Sequence, residues 1–394
     1  MKILNKVDYP LLEVVVTARP SWARVKHLVQ EYAEIAGPEQ IRLTLVGPAI
    51  SHRYGDLTKS IPDWLNTERV STLQDSDNLD AIALTCVQGA TALVNKWSQN
   101  RPDAVLVIAD RTETLGVATA AAVMQIPIIH LQGGEVSGSI DDKIRDANTK
   151  LADLHLTTNE ETALRIISMG EDNTNIRIVG CPSIDVVAKQ ALLDEDIRDR
   201  ESSYYGGVGS VFNLLEKFGI IMFHPDTYNE SESLNWVKFL LQVTTRLDVN
   251  WFWFWPNPDH GSSEISKIIR HYREENPFNN IRFVINLPPE DFVNLALNAD
   301  MMIGNSSFGI RESSFIGLPV INVGKRQMGR QKSINVLDLI EIGEFESCLS
   351  QIVTHIKTQR FPRSLIYGKG NSGRLAAEVI AAWVPTLKTR HISK

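Results

Sequence analysis

Six clusters in the 394-residue sequence carry residue types that could bind an anion or move a proton, and each follows a short apolar run. The fullest is Gly304-Asn305-Ser306-Ser307-Phe308-Gly309-Ile310-Arg311-Glu312. A strand end, a glycine, paired serines and a helix start together supply N–H and hydroxyl donors for diphosphate oxygens. Glu312, one to two turns into that helix, could accept ribose hydroxyls. The longest is His130-Leu131-Gln132-Gly133-Gly134-Glu135-Val136-Ser137-Gly138-Ser139-Ile140-Asp141-Asp142. Its three glycines permit close backbone approach to a ligand. Its carboxylates Glu135, Asp141 and Asp142 suit proton abstraction or delivery. The plainer reading is a solvated turn and a helix cap.

Four smaller clusters complete the set. Asp110 and Arg111, in Ala109-Asp110-Arg111-Thr112-Glu113, put a carboxylate beside a guanidinium, as orienting a phosphorylated sugar requires; the alternative is an Asp capping the next helix. Arg19, in Thr17-Ala18-Arg19-Pro20, is placed for a phosphate at a helix start, or caps a loop at the surface. His224, between Phe223 and Pro225, could donate to a phosphate, act as an acid, or be structural. Lys325, Arg326 and Arg330 make a cationic rim after an apolar strand, or a solvated loop.

Clusters at strand ends need strands that end there. Leu12–Thr17, Ile41–Val46, Ala104–Ala109, Pro127–Leu131, Leu154–Thr158 and Ile176–Val179 read as strands. Helical patterns at 22–36, 79–99, 114–124, 140–152 and 160–169 separate them. Continuous apolar strands between helices indicate a parallel sheet covered on both faces. The alternation breaks over 189–217, a charged stretch followed by a Gly/Ser cluster, which reads as a linker or crossover. It resumes with strands at 219–223, 251–255, 281–285, 300–303 and 320–323, and helices at 231–247 and 263–275. The expected fold is α/β, with two Rossmann-like doubly wound domains facing a cleft. The boundaries expected are 1–188 for the sugar-side, catalytic domain, 189–217 for the linker, and 218–372 for the nucleotide domain. The last segment, 373–394, is a C-terminal helix and tail that packs back on the first domain.

Bulk composition excludes several classes. Hydrophobic content of 43% and charged content of 22% are ordinary for a folded chain, and 394 residues suggest two domains. The net charge of −7 argues against a general nucleic-acid binder. No apolar run reaches membrane-spanning length, and Met1–Pro10 lacks the apolar core of a signal peptide. Cys86, Cys181 and Cys348 form no CxxC pair, which fits a reducing cytoplasm. No metal-ligand spacing occurs, so neither a metal nor a cofactor is expected.

Taken together, four stretches resemble the hydrolysing UDP-N-acetylglucosamine 2-epimerases: Gly133–Asp142, Ser168–Asp172 running on to Gly180-Cys181-Pro182-Ser183, Gly304–Glu312, and Pro319–Arg330. The similarity extends from about Leu12 to about Gly373. It implies a glycosyltransferase-B fold and anti-elimination of UDP to a 2-acetamidoglucal, followed by hydration to a free 2-epimerised sugar. It also implies that Arg19, His224, Ser306 and Ser307 contact the diphosphate and that Glu312 binds ribose. Asn257 and Arg326 would line the nucleotide side, with Asp110 and Asp141 near the sugar. A UDP-sugar partner, a homodimer or homotetramer, and a place in sialic-acid-type synthesis come with the resemblance.

The sugar side departs from the family pattern. Ala109 stands where the family has Gly, Gln132 where relatives have Glu or sometimes His, and Asp146 where they have His. A glutamine cannot exchange protons near neutral pH. Asp146 could restore the carboxylate; equally, Asp146–Lys150 and Asp141–Arg145 have the i,i+4 spacing of exposed salt bridges. Altered chemistry therefore competes with epimerisation: hydrolysis of the nucleotide sugar, elimination stopping at the glycal, glycosyl transfer, or binding without turnover.

Overall fold

The computed structural model describes residues 9–50, 57, 60–72, 79–137, 140–226, 229–256, 261–277 and 279–385. They divide into two units: Met1–Glu135 with Ile140–Asp185 and Asn371–Lys394, and Val136–Ser139 with Val186–Gly370.

Unit 1 is built on seven parallel strands. In chain order they are β1 (Leu12–Val16), β2 (Ile41–Val46), β3 (Asn66–Val70), β4 (Ala104–Ile108), β5 (Ile128–Leu131), β6 (Leu154–Thr157) and β7 (Ile176–Ile178). Their order in the sheet is β3-β2-β1-β4-β5-β6-β7. The direction of winding reverses between β1 and β4, which is where such sheets place ligands beyond their carboxyl ends. Helices α1 (Arg19–Ala36), α2 (Leu79–Gln99), α3 (Thr112–Val123), α4 (Ile140–Leu151), α5 (Glu160–Ser168) and α6 (Ser183–Leu193) follow the strands. β1, β2 and β4 are buried throughout, as double-sided cover demands. Even Glu13 on β1 is fully buried, because Arg42 Nε at 2.5 Å, Thr44 Oγ1 at 2.8 Å and Lys96 Nζ at 3.0 Å satisfy its carboxylate.

Unit 2 repeats the plan. Its strands are β8 (Val208–Gly209), β9 (Phe218–Met222), β10 (Asn250–Phe254), β11 (Ile281–Val284), β12 (Met301–Gly304), β13 (Val320–Val323) and β14 (Val336–Leu339). They lie in the order β14-β13-β12-β9-β10-β11-β8, all parallel except β8, which runs antiparallel to β11. The helices are α7 (Glu230–Arg246), α8 (Ser262–Glu275), α9 (Pro289–Asn298), α10 (Glu312–Ile316) and α11 (Phe345–Ile356). The tryptophans of β10, Trp251 and Trp253, are core residues packed with Phe283.

The boundaries differ in detail from those expected. Residues 189–217 are not a bare linker: α6 runs through Leu193, Asn294 Nδ2 donates to Glu195, and β8 completes the second sheet. The first unit ends at Asp185, and Val136–Ser139 groups with unit 2, where Arg330 Nε donates to the Val136 carbonyl at 2.9 Å. The last helix, α12 (Ser372–Ala382), belongs to unit 1 and packs on α1. No described helix is long and apolar enough to cross a membrane.

Candidate functional site

The carboxyl ends of β4 and β5 gather the unit 1 candidates. Ala109 and Gln132, each the residue after its strand, have left-handed backbones with φ of 54° and 66°. Both carry a side chain, so both conformations are strained and need support. Asp110 turns out of the first corner, and its carboxylate pairs with Nη2 of Arg145 on α4. Arg145 is 1% exposed. Its Nη1 donates to Asp142 Oδ1 at 2.5 Å and to the Glu135 carbonyl at 2.7 Å. Burial alone would lower the Arg145 pKa; the charges of Asp110 and Glu135 and the bonds to Asp110 and Asp142 outweigh it and hold the guanidinium charged.

These contacts differ from the exposed i,i+4 pairs that were one of two readings of the sequence. Arg145 serves Asp110 and Asp142 as a buried clamp, not an exposed partner of Asp141 alone. Lys150 Nζ donates to Glu171 Oε1 at 2.6 Å and to the Met169 carbonyl at 3.0 Å, not to Asp146. Asp146 is exposed, and the desolvation that raises its pKa is partly offset by Arg145. Asp141 is partly buried in the first turn of α4, and Glu135 is buried. Gln132 is 1% exposed; its Nε2 lies 3.4 Å from Cys181 Sγ, and its Oε1 has no hydrogen-bond partner. Arg111 is exposed and leans on Glu113 at 3.3 Å. Arg19 begins α1, with Pro20 fixing its first turn.

Two groups here were given no role in the sequence reading. His130 lies inside β5 with its ring fully buried, and burial pushes its pKa down to about 4. Asn148, also buried, donates Nδ2 to the Ala109 carbonyl at 3.3 Å. A histidine inside an otherwise apolar strand was the available signal for the first.

The ends of β9 and β12 gather the unit 2 candidates. Asn305 stitches the two strands together: its Oδ1 accepts the His224 N–H at 2.8 Å, and its Nδ2 donates to the His224 carbonyl at 2.8 Å. His224 is buried, and burial together with Arg326 pushes its pKa down to about 3. It is therefore a neutral imidazole that can donate a hydrogen bond, not a stored acid proton. Arg326 Nη1 and Gln327 Nε2 donate to the Asn305 carbonyl at 3.1 and 3.0 Å. Ser306 and Ser307 are partly exposed, and Ser307 Oγ accepts from Arg311 Nη2 at 3.1 Å. The serines open a 3-10 turn, Ser307–Gly309, and Glu312 begins the five-residue α10, so the helix expected from Ser306 through Glu312 is broken in two. Glu312 is buried beside Arg311, with Oε2 3.8 Å from Nε. The expected cationic rim also divides: Arg326 holds Asn305, Arg330 holds Val136, and exposed Lys325 reaches Glu341 at 3.4 Å. Asn257 lies outside the described residues. Among the described residues, no group of three or more His, Cys, Asp or Glu could hold a metal ion.

Known proteins resemble this chain in sequence and in fold. The profile of the family described as UDP-N-acetylglucosamine 2-epimerase matches residues 36–381. A UDP-N-acetylglucosamine 2-epimerase of Neisseria meningitidis serogroup B is 31% identical over 351 residues, 84% of this chain and 87% of that one. A hydrolysing UDP-N,N'-diacetylbacillosamine 2-epimerase of Legionella pneumophila is 30% identical, covering 72% of each. Among solved structures, the Methanocaldococcus jannaschii UDP-GlcNAc 2-epimerase in complex with UDP-GlcNAc and UDP superposes with a TM-score of 0.75 at 13% identity, over 94% of this chain and 99% of that one. A UDP-GlcNAc 2-epimerase structure from Neisseria meningitidis, bound to UDP-GlcNAc, gives 0.74 at 14% identity, over the same shares. With most of the chain matched by the family profile and the fold shared, the chain belongs to the UDP-N-acetylglucosamine 2-epimerase family, on the glycosyltransferase-B type of fold.

Proposed function

We propose that the protein is a hydrolysing 2-epimerase acting on UDP-N-acetylglucosamine or a related 2-acetamido nucleotide sugar. The observation that carries this reading is the Asp110–Arg145–Asp142 clamp beside buried Glu135 in a family whose members act on such sugars. A carboxylate of that group takes the proton from C2 as UDP leaves C1. Water then adds across the double bond, its proton to the opposite face of C2 and its hydroxyl to C1. The products are UDP and a free, inverted sugar. In unit 2, Arg326, Ser306, Ser307 and neutral His224 are assigned to the diphosphate and Glu312 to the ribose; Arg19 is assigned to a phosphate on sequence grounds alone. Asn257 is assigned to the nucleotide on sequence grounds alone. A cytoplasmic location, a homodimer or homotetramer, and a role in acidic-sugar synthesis accompany the reading.

A second reading is favoured by Gln132. It is buried and bonded to a thiol, so the family's carboxylate is absent from that position. Asp146, the carboxylate that could replace it, is exposed, whereas Gln132 is buried. Chemistry that halts at the glycal, or hydrolyses the nucleotide sugar without epimerisation, follows if that carboxylate delivers the second proton.

Incubation with a panel of nucleotide sugars in D₂O separates these outcomes. The first reading requires UDP release with an inverted free sugar carrying deuterium at C2. UDP release without deuterium would sink it, and a glycal as final product would establish the second.

A further inference from the structure

The left-handed backbone of Ala109 is a position where any residue but glycine is strained, and Asp110 hangs from it. Three hydrogen bonds hold this corner. The Ala109 N–H donates to the Leu131 carbonyl at 2.9 Å. Its own carbonyl receives Asn148 Nδ2 at 3.3 Å and lies 2.9 Å from His130 Nε2. The other ring nitrogen, Nδ1, is 3.1 Å from Thr149 Oγ1. A carbonyl only accepts, so Nε2 carries the proton, and Nδ1 accepts from the threonine hydroxyl. Val107 is the cross-strand neighbour of His130, so the ring reaches the carbonyl two residues further along β4. Its room is fixed as well: a Cβ built on Gly133 would stand 2.9 Å from Nδ1.

We propose that His130 is a positioning residue for Asp110, clamping the Ala109 carbonyl so that the corner stays left-handed and the carboxylate meets Arg145. The imidazole touches no reacting atom. It supplies, through its neutral Nε2–H, the restraint that a glycine at 109 would need less. Thr149, Asn148 and Arg145 all lie on α4, so one helix face orients both the ring and the carboxylate it serves. The kinetic part of this inference rests on Asp110 acting on the sugar; the structural part does not.

The test compares His130→Gln, His130→Asn and His130→Leu, with His130→Leu also combined with Ala109→Gly. A glutamine amide can occupy the Nε2 position, whereas the shorter asparagine amide matches Nδ1 and loses the carbonyl. Crystal structures should show Ala109 leaving the left-handed region in the Asn and Leu variants, with the Asp110–Arg145 pair broken. His130→Gln should keep both. Turnover per folded molecule should fall about 10- to 100-fold for Asn and Leu, with KM little changed, as expected when a reacting group is misplaced. Ala109→Gly should restore part of the loss in the Leu background. If Ala109 stays left-handed with Asp110 on Arg145 in the Asn or Leu variant, or if Gln and Asn behave alike, the proposal is overturned. A wild-type enzyme that releases no UDP counts against the proposed reaction instead, and the crystal structures still decide the clamp.

Discussion

The side-chain amide of Gln132 faces the thiol of Cys181, with Nε2 3.4 Å from Sγ, and both residues are buried. Cys181 Sγ in turn lies 2.9 Å from Ser183 Oγ, so the Gly180–Ser183 stretch forms the back wall of this position. A carboxylate here would lie in the same partly desolvated place, where burial raises its pKa toward neutrality and makes it a usable acid. We expect Gln132→Glu to raise 2-epimerase turnover by about 10-fold or more. It should also lower stability by about 1–3 kcal/mol, since the new group has few partners. Product analysis of the variant and a urea titration measure the two effects. Unchanged turnover would mean that the carboxylate is not missed.

Arg145 is a single donor shared by three acceptors. Removing it takes the shared guanidinium away from the carboxylates of Asp110 and Asp142. These carboxylates are 23% and 28% exposed, so solvent screens part of the cost, and we expect Arg145→Met to lose about 1–3 kcal/mol. Activity should fall by far more than stability explains, about 100-fold, because Asp110 loses its aim. Arg145→Lys should not rescue it: one ammonium cannot hold Asp110, Asp142 and the Glu135 carbonyl in fork geometry. Steady-state kinetics and urea unfolding of the Met and Lys variants check this.

The sequence showed the layers well and the clamps badly. β1, β2, β4 and β5 are apolar runs buried on both faces, so their periodicity announces them. β3 escaped because it is an edge strand reading Asn66-Thr67-Glu68-Arg69-Val70, mostly exposed, with no apolar signal. β8 escaped because it is two residues long, inside a Gly/Ser stretch that reads as linker. The strand-end placement of the candidates was legible: Asp110, His224 and Ser306 each lie two residues past the end of a strand. The clamp made by Arg145 was not legible, because i,i+4 spacing describes only neighbours on one helix. Its true partner Asp110 is 35 residues away in sequence, and tertiary contact decides between the two.

A second long-range clamp holds the end of the chain. Asp185, at the start of α6, accepts the backbone N–H groups of Ser372 and Gly373 at 2.8 and 2.7 Å, capping α12 from the far side of the sequence. Asp185→Ala should leave both donors buried and unpaired, at a cost of about 2 kcal/mol, and should loosen α12 first. Gly373→Ala should act alike by another route. Its new Cβ would meet Leu28 N and His27 Cβ at 2.9 Å, so α12 must lift from α1. Urea midpoints and limited proteolysis near 371–385 report both. Intact protection of that segment in either variant would overturn the assignment.

Two buried neutral histidines make the fold sensitive to mild acid. His130 and His224 have pKa values pushed down to about 4 and about 3, against 6.5 for the ordinary imidazole, chiefly by burial. In the unfolded chain both return to the ordinary value. Between about pH 6.5 and pH 4 the unfolded state therefore binds protons that the folded state does not, and stability falls as pH falls. Above about pH 7 neither group titrates, and their contribution is constant. Near pH 5 each histidine adds about 1.4 kcal/mol per pH unit to the slope, up to two protons together. Stability measured by urea unfolding at pH 5.0, 5.5, 6.0 and 7.0 should show this steepening. His130→Gln should remove about one proton from the slope at pH 5 while keeping the bond to Ala109. A slope unchanged by that substitution would show that His130 carries its proton in the folded protein, and the tautomer assigned to the Ala109 clamp would then be wrong as well.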